Sequence, residues 1–230
     1  MEARPFWKNS HPSQLKNWTL FADDLINFLD QQGLINIIGM GHSLGGITTI
    51  AAALKRPDLF SKLVLIEPVL LPKKWIYTTL LMPMWLRKKV NPMAKVALNR
   101  NDTWADQTTL FNSYRKKRVF KKWSDQIIWD FINDSTFENE DEQVQLRFPK
   151  IWEAQIYCTP PNVWSKLSKI QQPTFGIRGA ETDTIQKICW EDWQKKQVNA
   201  TFLEMKNTGH LVPMEKPFEL AQVILNFLKS

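Results

Sequence analysis

The strongest constraint on this chain of 230 residues is a junction near its N-terminus. A short apolar run over 34–40 passes without a gap into Gly41-His42-Ser43-Leu44-Gly45-Gly46, and 47–55 then reads as a helix that stops near Arg56-Pro57. A brief, β-branched and nearly all-apolar run predicts a strand buried on both faces of a parallel sheet. Strand, tight turn and helix in succession force the turn to be sharp. Side chains two residues before and two after Ser43 would then meet neighbouring backbone, which assigns Gly41 and Gly45 to relieving that crowding, while Gly46 permits close helix packing. The same geometry pushes the Ser43 hydroxyl into the open. It also leaves the Leu44 N–H at a helix N-terminus, where a developing negative charge on oxygen would be stabilised.

The rest of the chain predicts the sheet around this junction. Apolar residues at three- and four-residue steps (Leu15, Trp18, Ala22, Leu25, Ile26 and Leu29) make 14–32 an amphipathic helix, with Ser13 placed to cap it and Gly33 to end it. Further strands are expected at 62–67, 173–178 and 200–204, and helices at 184–197 and 216–228. Such alternation means an α/β fold with a mostly parallel sheet flanked by helices. Between 69 and 170 the pattern turns helix-like, aromatic and basic, and holds seven of the eleven tryptophans. An insertion of that length is more than a loop. The expected organisation is therefore a core from 1–68 and 171–230 with a helical cap at 69–170.

A serine hydroxyl becomes a useful nucleophile when a base takes its proton and an acid orients that base. Of the three histidines, His11 precedes the first helix and His42 is expected to point away from its neighbour Ser43. His210, in a loop after the last strand, is left as the base. Asp183, just past the end of the preceding strand, is the preferred acid. Glu67, at the end of the strand after the Ser43 helix, is the alternative, and Glu181 a lesser one; Asp192 falls within a helix.

The segments Gly-His-Ser-Leu-Gly-Gly, Ile-Arg-Gly-Ala-Glu-Thr-Asp-Thr and Asn-Thr-Gly-His-Leu-Val-Pro-Met-Glu-Lys-Pro resemble the three signature regions of the α/β-hydrolase superfamily, in its lipase- and esterase-like branch with a helical cap. The resemblance runs from about Pro5 to the C-terminus. It implies a serine hydrolase acting on an ester, thioester or related acyl bond through an acyl-enzyme, with Ser43, Asp183 and His210 as triad and no cofactor or metal. The Trp-rich insertion suggests an apolar or aromatic substrate group. Members of the superfamily begin with further strands and a His-Gly turn that supplies a second oxyanion donor, and no such segment is matched here. The strand at 34–40 would then expose an apolar edge, open to pairing with another chain. Loss of one oxyanion donor costs about 10²–10³ in turnover. The competing expectation is a non-catalytic fragment or binding module that retains the serine turn.

Composition bears on partners. Thirty Lys and Arg against twenty-three Asp and Glu give a net charge of +7, much of it in Arg87-Lys88-Lys89 and around Arg115–Lys122. No nucleic-acid motif accompanies these runs, so nucleic acid is not an expected partner. The basic, aromatic cap fits a lid over a substrate pocket, with contact to an anionic membrane surface as the second expectation. Cys158 and Cys189 lack metal or redox spacing. With no signal-peptide core and no run of about 18 apolar residues, a cytoplasmic protein is expected.

Overall fold

The computed structural model describes residues 1–229. The chain forms two compact units, one built from Met1, 15–82 and 159–229, the other from Glu2–Gln14 and Pro83–Cys158. The second unit is thus shorter at both ends than the insertion expected at 69–170, and the N-terminal segment joins it.

In the first unit four parallel strands, β1 (Ile37–His42), β2 (Phe60–Ile66), β6 (Thr174–Gly179) and β7 (Ala200–Met205), lie in the order β1-β2-β6-β7. Helices α1 (Thr19–Gln31) and α2 (Leu44–Lys55) surround β1 in sequence, α3 (Lys73–Leu81) follows β2, α9 (Lys187–Lys196) joins β6 to β7, and α10 (Val212–Glu215) and α11 (Pro217–Lys229) close the chain.

Strand alternation decides which helix covers which face. Val64, Ile66, Phe175, Ile177 and Met205 share one face and pack with Val212, Leu220 and Ile224 of α10 and α11. On the opposite face Leu65, Gly176 and Phe202 are in register. A Cβ on Gly176 would lie 2.7 Å from the Phe202 ring and 2.9 Å from Trp193, so a bare backbone at 176 is what lets α9 seat. Trp193 is fully buried and donates to the side chain of Gln197, which in turn donates to Thr174.

Three expectations need revision. Helix α1 starts at Thr19, not near Gln14, and the side chain that accepts from the Thr19 N–H is Asn17 (2.9 Å) rather than Ser13. Gly33 does end the region, at φ +61°. The first strand is displaced to Ile37–His42 and is not buried on both faces: Ile38 and Met40 are 46% and 51% exposed. The cause is its position, because β1 is an edge strand and only its α2-facing side, through Gly39 and Gly41, is packed.

The second unit contains α4 (Met84–Val90), α5 (Pro92–Asn99), α6 (Gln107–Arg115), α7 (Asp125–Ser135) and α8 (Lys150–Tyr157). It also holds an antiparallel sheet of β3 (Thr103–Trp104), β4 (Thr136–Glu138) and β5 (Val144–Leu146), in the order β3-β5-β4. Strands of two or three residues carry no period, so nothing in the sequence announced them. The basic run after α6 is partly structural. Arg115 pairs with Asp125 and donates to the carbonyls of Phe120 and Trp123, fixing a cluster in which Tyr114 stacks on Phe120 and Phe131 meets Trp123 edge-on.

Candidate active site

The site lies at the C-terminal ends of β1, β2, β6 and β7, within the first unit. Ser43 occupies the turn between β1 and α2 at φ +54°, ψ −116°, a region in which an L-residue costs about 1–3 kcal/mol. The strain is held from several sides. The Ser43 N–H donates to Ile66 O at 3.0 Å, and its carbonyl accepts from Gly46 N at 3.1 Å. A Cβ at Gly41 would sit 2.3 Å from the Gly45 carbonyl oxygen, so that glycine is obligatory. Gly45 differs from expectation: a Cβ there would meet nothing within 4 Å, and its bareness leaves open space instead of relieving a clash. Gly46 packs 2.9 Å from Pro68 by the same measure, which allows the close approach of α2. The Leu44 N–H, at the first position of α2, makes no hydrogen bond among the described residues.

His210 reaches this turn from the loop after β7. Its Nε2 lies 2.9 Å from Ser43 Oγ, and its Nδ1 lies 3.0 Å from Glu67 Oε2. A carboxylate only accepts, so Nδ1 carries the proton and Nε2 is free to accept from the serine hydroxyl. Glu67 follows the last residue of β2, has no exposed surface and adopts φ +47°. Its carboxylate also accepts from Gly179 N at 2.6 Å and from Thr182 Oγ1 at 2.8 Å. These partners fix the oxygens and offset the cost of burying the charge.

The carboxylate beside His210 is Glu67, not the Asp183 expected from the sequence. Asp183 is exposed and makes no hydrogen bond or ion pair among the described residues. Glu181, also exposed, is tied to this region through its backbone N–H, 2.8 Å from Thr208 O. The reason lies in strand order. β2 is the immediate neighbour of β1, with Ile66 opposite His42, so the next residue, Glu67, emerges beside the serine turn. The last residue of β6 contributes the Gly179 N–H and the loop after it the Thr182 hydroxyl, two partners that sequence reasoning did not find. Gly179 is forced, since a Cβ would lie 2.2 Å from Gly209 O.

His42, set aside as the base, contacts the backbone of His210, which its place in the sequence did not suggest. Its Nε2–H donates to the carbonyl of His210 at 2.8 Å, and the two rings lie 5.0 Å apart. Burial, the larger cause, and the neighbouring His210 lower its pKa to about 4, against the hydrogen bond that raises it. Because the folded value is below the unfolded one near 6.5, the unfolded chain binds more protons between the two. Stability is therefore full above about pH 6.5 and declines as pH falls toward 4, by at most about 3 kcal/mol. Urea unfolding of the wild type and of His42→Gln over this range should show that component in the wild type and not in the variant.

A positive-φ serine between a parallel strand and a helix, in line with an imidazole and a buried carboxylate, is the arrangement of the α/β-hydrolase fold. The chain belongs to the alpha/beta hydrolase fold family, whose model matches residues 6–217. It is similar to an uncharacterized hydrolase, YugF, of Bacillus subtilis, at 23% identity over 89% of this chain and 70% of that protein. A putative esterase/lipase of Haemophilus influenzae is 22% identical over 96% of this chain and 70% of its own length. Among solved structures, E-2-(acetamidomethylene)succinate hydrolase superposes with a TM-score of 0.73 at 15% identity, covering 94% of this chain and 75% of the other. An esterase of M. tuberculosis gives 0.70 at 16% identity, covering 93% and 70%. The fold is shared at these identities, and the sequence relatives are named hydrolases and esterases.

Proposed function

We propose that this chain hydrolyses an ester, thioester or related acyl bond through Ser43, His210 and Glu67. The observation that carries the proposal is the continuous hydrogen-bonded line from Glu67 Oε2 through His210 to Ser43 Oγ, with both contacts at 2.9–3.0 Å. In the first step His210 Nε2 takes the Ser43 proton as Oγ attacks the acyl carbon. Glu67 stabilises the resulting imidazolium, and the Leu44 N–H faces the oxyanion. Collapse of the tetrahedral intermediate expels the alcohol, thiol or amine, which receives the proton from His210. Water, activated by the same imidazole, then releases the acid and restores the serine. The chain order serine, glutamate, histidine fits this fold as well as serine, aspartate, histidine would.

The test is covalent labelling with a fluorophosphonate, located by peptide mapping. Labelling at Ser43 supports the proposal. An unlabelled wild type, or labelling that survives Ser43→Ala, rejects it in favour of a non-catalytic chain that retains the turn. Gly41→Ala provides a geometric control: displacing the Gly45 carbonyl moves Oγ, and a misplacement near 1 Å costs about 10²-fold in labelling rate.

A further inference from the structure

The positive charge of this protein is concentrated in one stretch. Residues 68–101 hold seven of the thirty basic residues and none of the twenty-three acidic ones. They therefore carry a charge equal to the whole chain's net +7, and the remainder is balanced. Much of this stretch is α4 and α5, which pack on one another in the second unit. Asn91 fixes their junction: its side-chain oxygen accepts from Met93 N and Ala94 N, and its amide donates to Tyr157 O at 2.9 Å.

Helix α5 is apolar on two sides. Ala94 and Ala97 are buried with Ala154 and Cys158. Met93 and Val96, three residues apart, are instead 50% and 64% exposed. From α4, Trp85 (67%) and Val90 (49%) are exposed as well. Lys88, Lys89 and Lys95 lie on the same two helices and have no acidic partner among the described residues. Arg87 is engaged with the Cys158 carbonyl.

We propose that the α4–α5 face docks on the surface of an anionic lipid bilayer, with Trp85, Met93 and Val96 entering the headgroup boundary and Lys88, Lys89 and Lys95 lying over the lipid phosphates. Apolar side chains flanked by lysines and free of carboxylates are the composition of an interfacial helix face. Exposed valine and methionine offer nothing that a nucleic-acid base would stack on, and an aqueous role leaves them unexplained. The inference is independent of the chemistry at Ser43.

The test is co-sedimentation of the full chain with vesicles of phosphatidylcholine alone and of equal parts phosphatidylcholine and phosphatidylglycerol, at low and high salt. Binding is expected to the mixed vesicles only and to be released by salt. A lysine near an anionic surface contributes about fivefold to partitioning, so Lys88→Glu, Lys89→Glu and Lys95→Glu together, which reverse the charge, should weaken it by at least about 100-fold. Trp85→Ser with Met93→Ser should weaken it with the charge unchanged. Absence of binding, equal binding to neutral vesicles, or unaltered binding by either variant overturns the proposal, the last showing adsorption elsewhere on the surface. If the triple glutamate variant loses its native circular dichroism, Lys→Gln at the same positions takes its place.

Discussion

Glu67→Gln is expected to lower kcat by about 10³–10⁴-fold, and Asp183→Asn to leave it within about twofold of the wild type. The substitution is nearly isosteric, so the buried site at 67 stays filled. Its chemistry changes: an amide presents one oxygen and one NH₂ where the carboxylate presents two acceptors to Gly179 N, Thr182 Oγ1 and His210 Nδ1. If the amide keeps its oxygen toward Gly179, its NH₂ faces His210. That favours the imidazole tautomer whose Nε2 carries the proton, which cannot take one from Ser43. Steady-state kinetics on a p-nitrophenyl ester would decide. A larger loss in Asp183→Asn than in Glu67→Gln would remove Glu67 from the mechanism.

Ser43→Ala should cost still more, about 10⁶-fold in kcat with little change in KM, because the nucleophile itself is lost. A second consequence concerns stability. At φ +54° an alanine bears the same backbone strain as the serine, whereas glycine does not. Ser43→Gly is therefore expected to be more stable than Ser43→Ala by about 1 kcal/mol in urea unfolding, although both are inactive. Equal stabilities would mean that the turn is not strained in the way its dihedrals imply.

How much of this was legible in the sequence differs by element. The strand, turn and helix around Ser43 were plain because strand composition, glycine placement and helix periodicity agree there. β2, β6 and β7 announced themselves as short apolar runs, each correct to within two residues. The edge position of β1 was also foreseeable, but its exposed face was not, since a nearly all-apolar run of seven residues reads alike whether one face or two are covered. The short strands of the second unit fall below any period.

At the site, the serine and histidine that the structure brings within 2.9 Å of one another were the pair expected from type and order. The carboxylate that meets His210 was ranked only second, because sequence distance puts Asp183 nearer to His210 than Glu67 is, while strand adjacency ranks them the other way. Strand order is a property of the sheet as a whole. His42 shows the same limit: its contact with the His210 carbonyl spans 168 positions.

That span has a consequence for folding. The Glu67 carboxylate joins the ends of β2 and β6 to the loop after β7, through contacts 112 to 143 positions apart in the chain. Parallel pairings over such separations form late, because their loop-closure entropy precedes any reward. No local segment can hold Ser43, Glu67 and His210 in partial register. Competence for covalent labelling should therefore return during refolding with the last cooperative phase, after helical circular dichroism has recovered, making the serine a chemical clock for completion of the sheet.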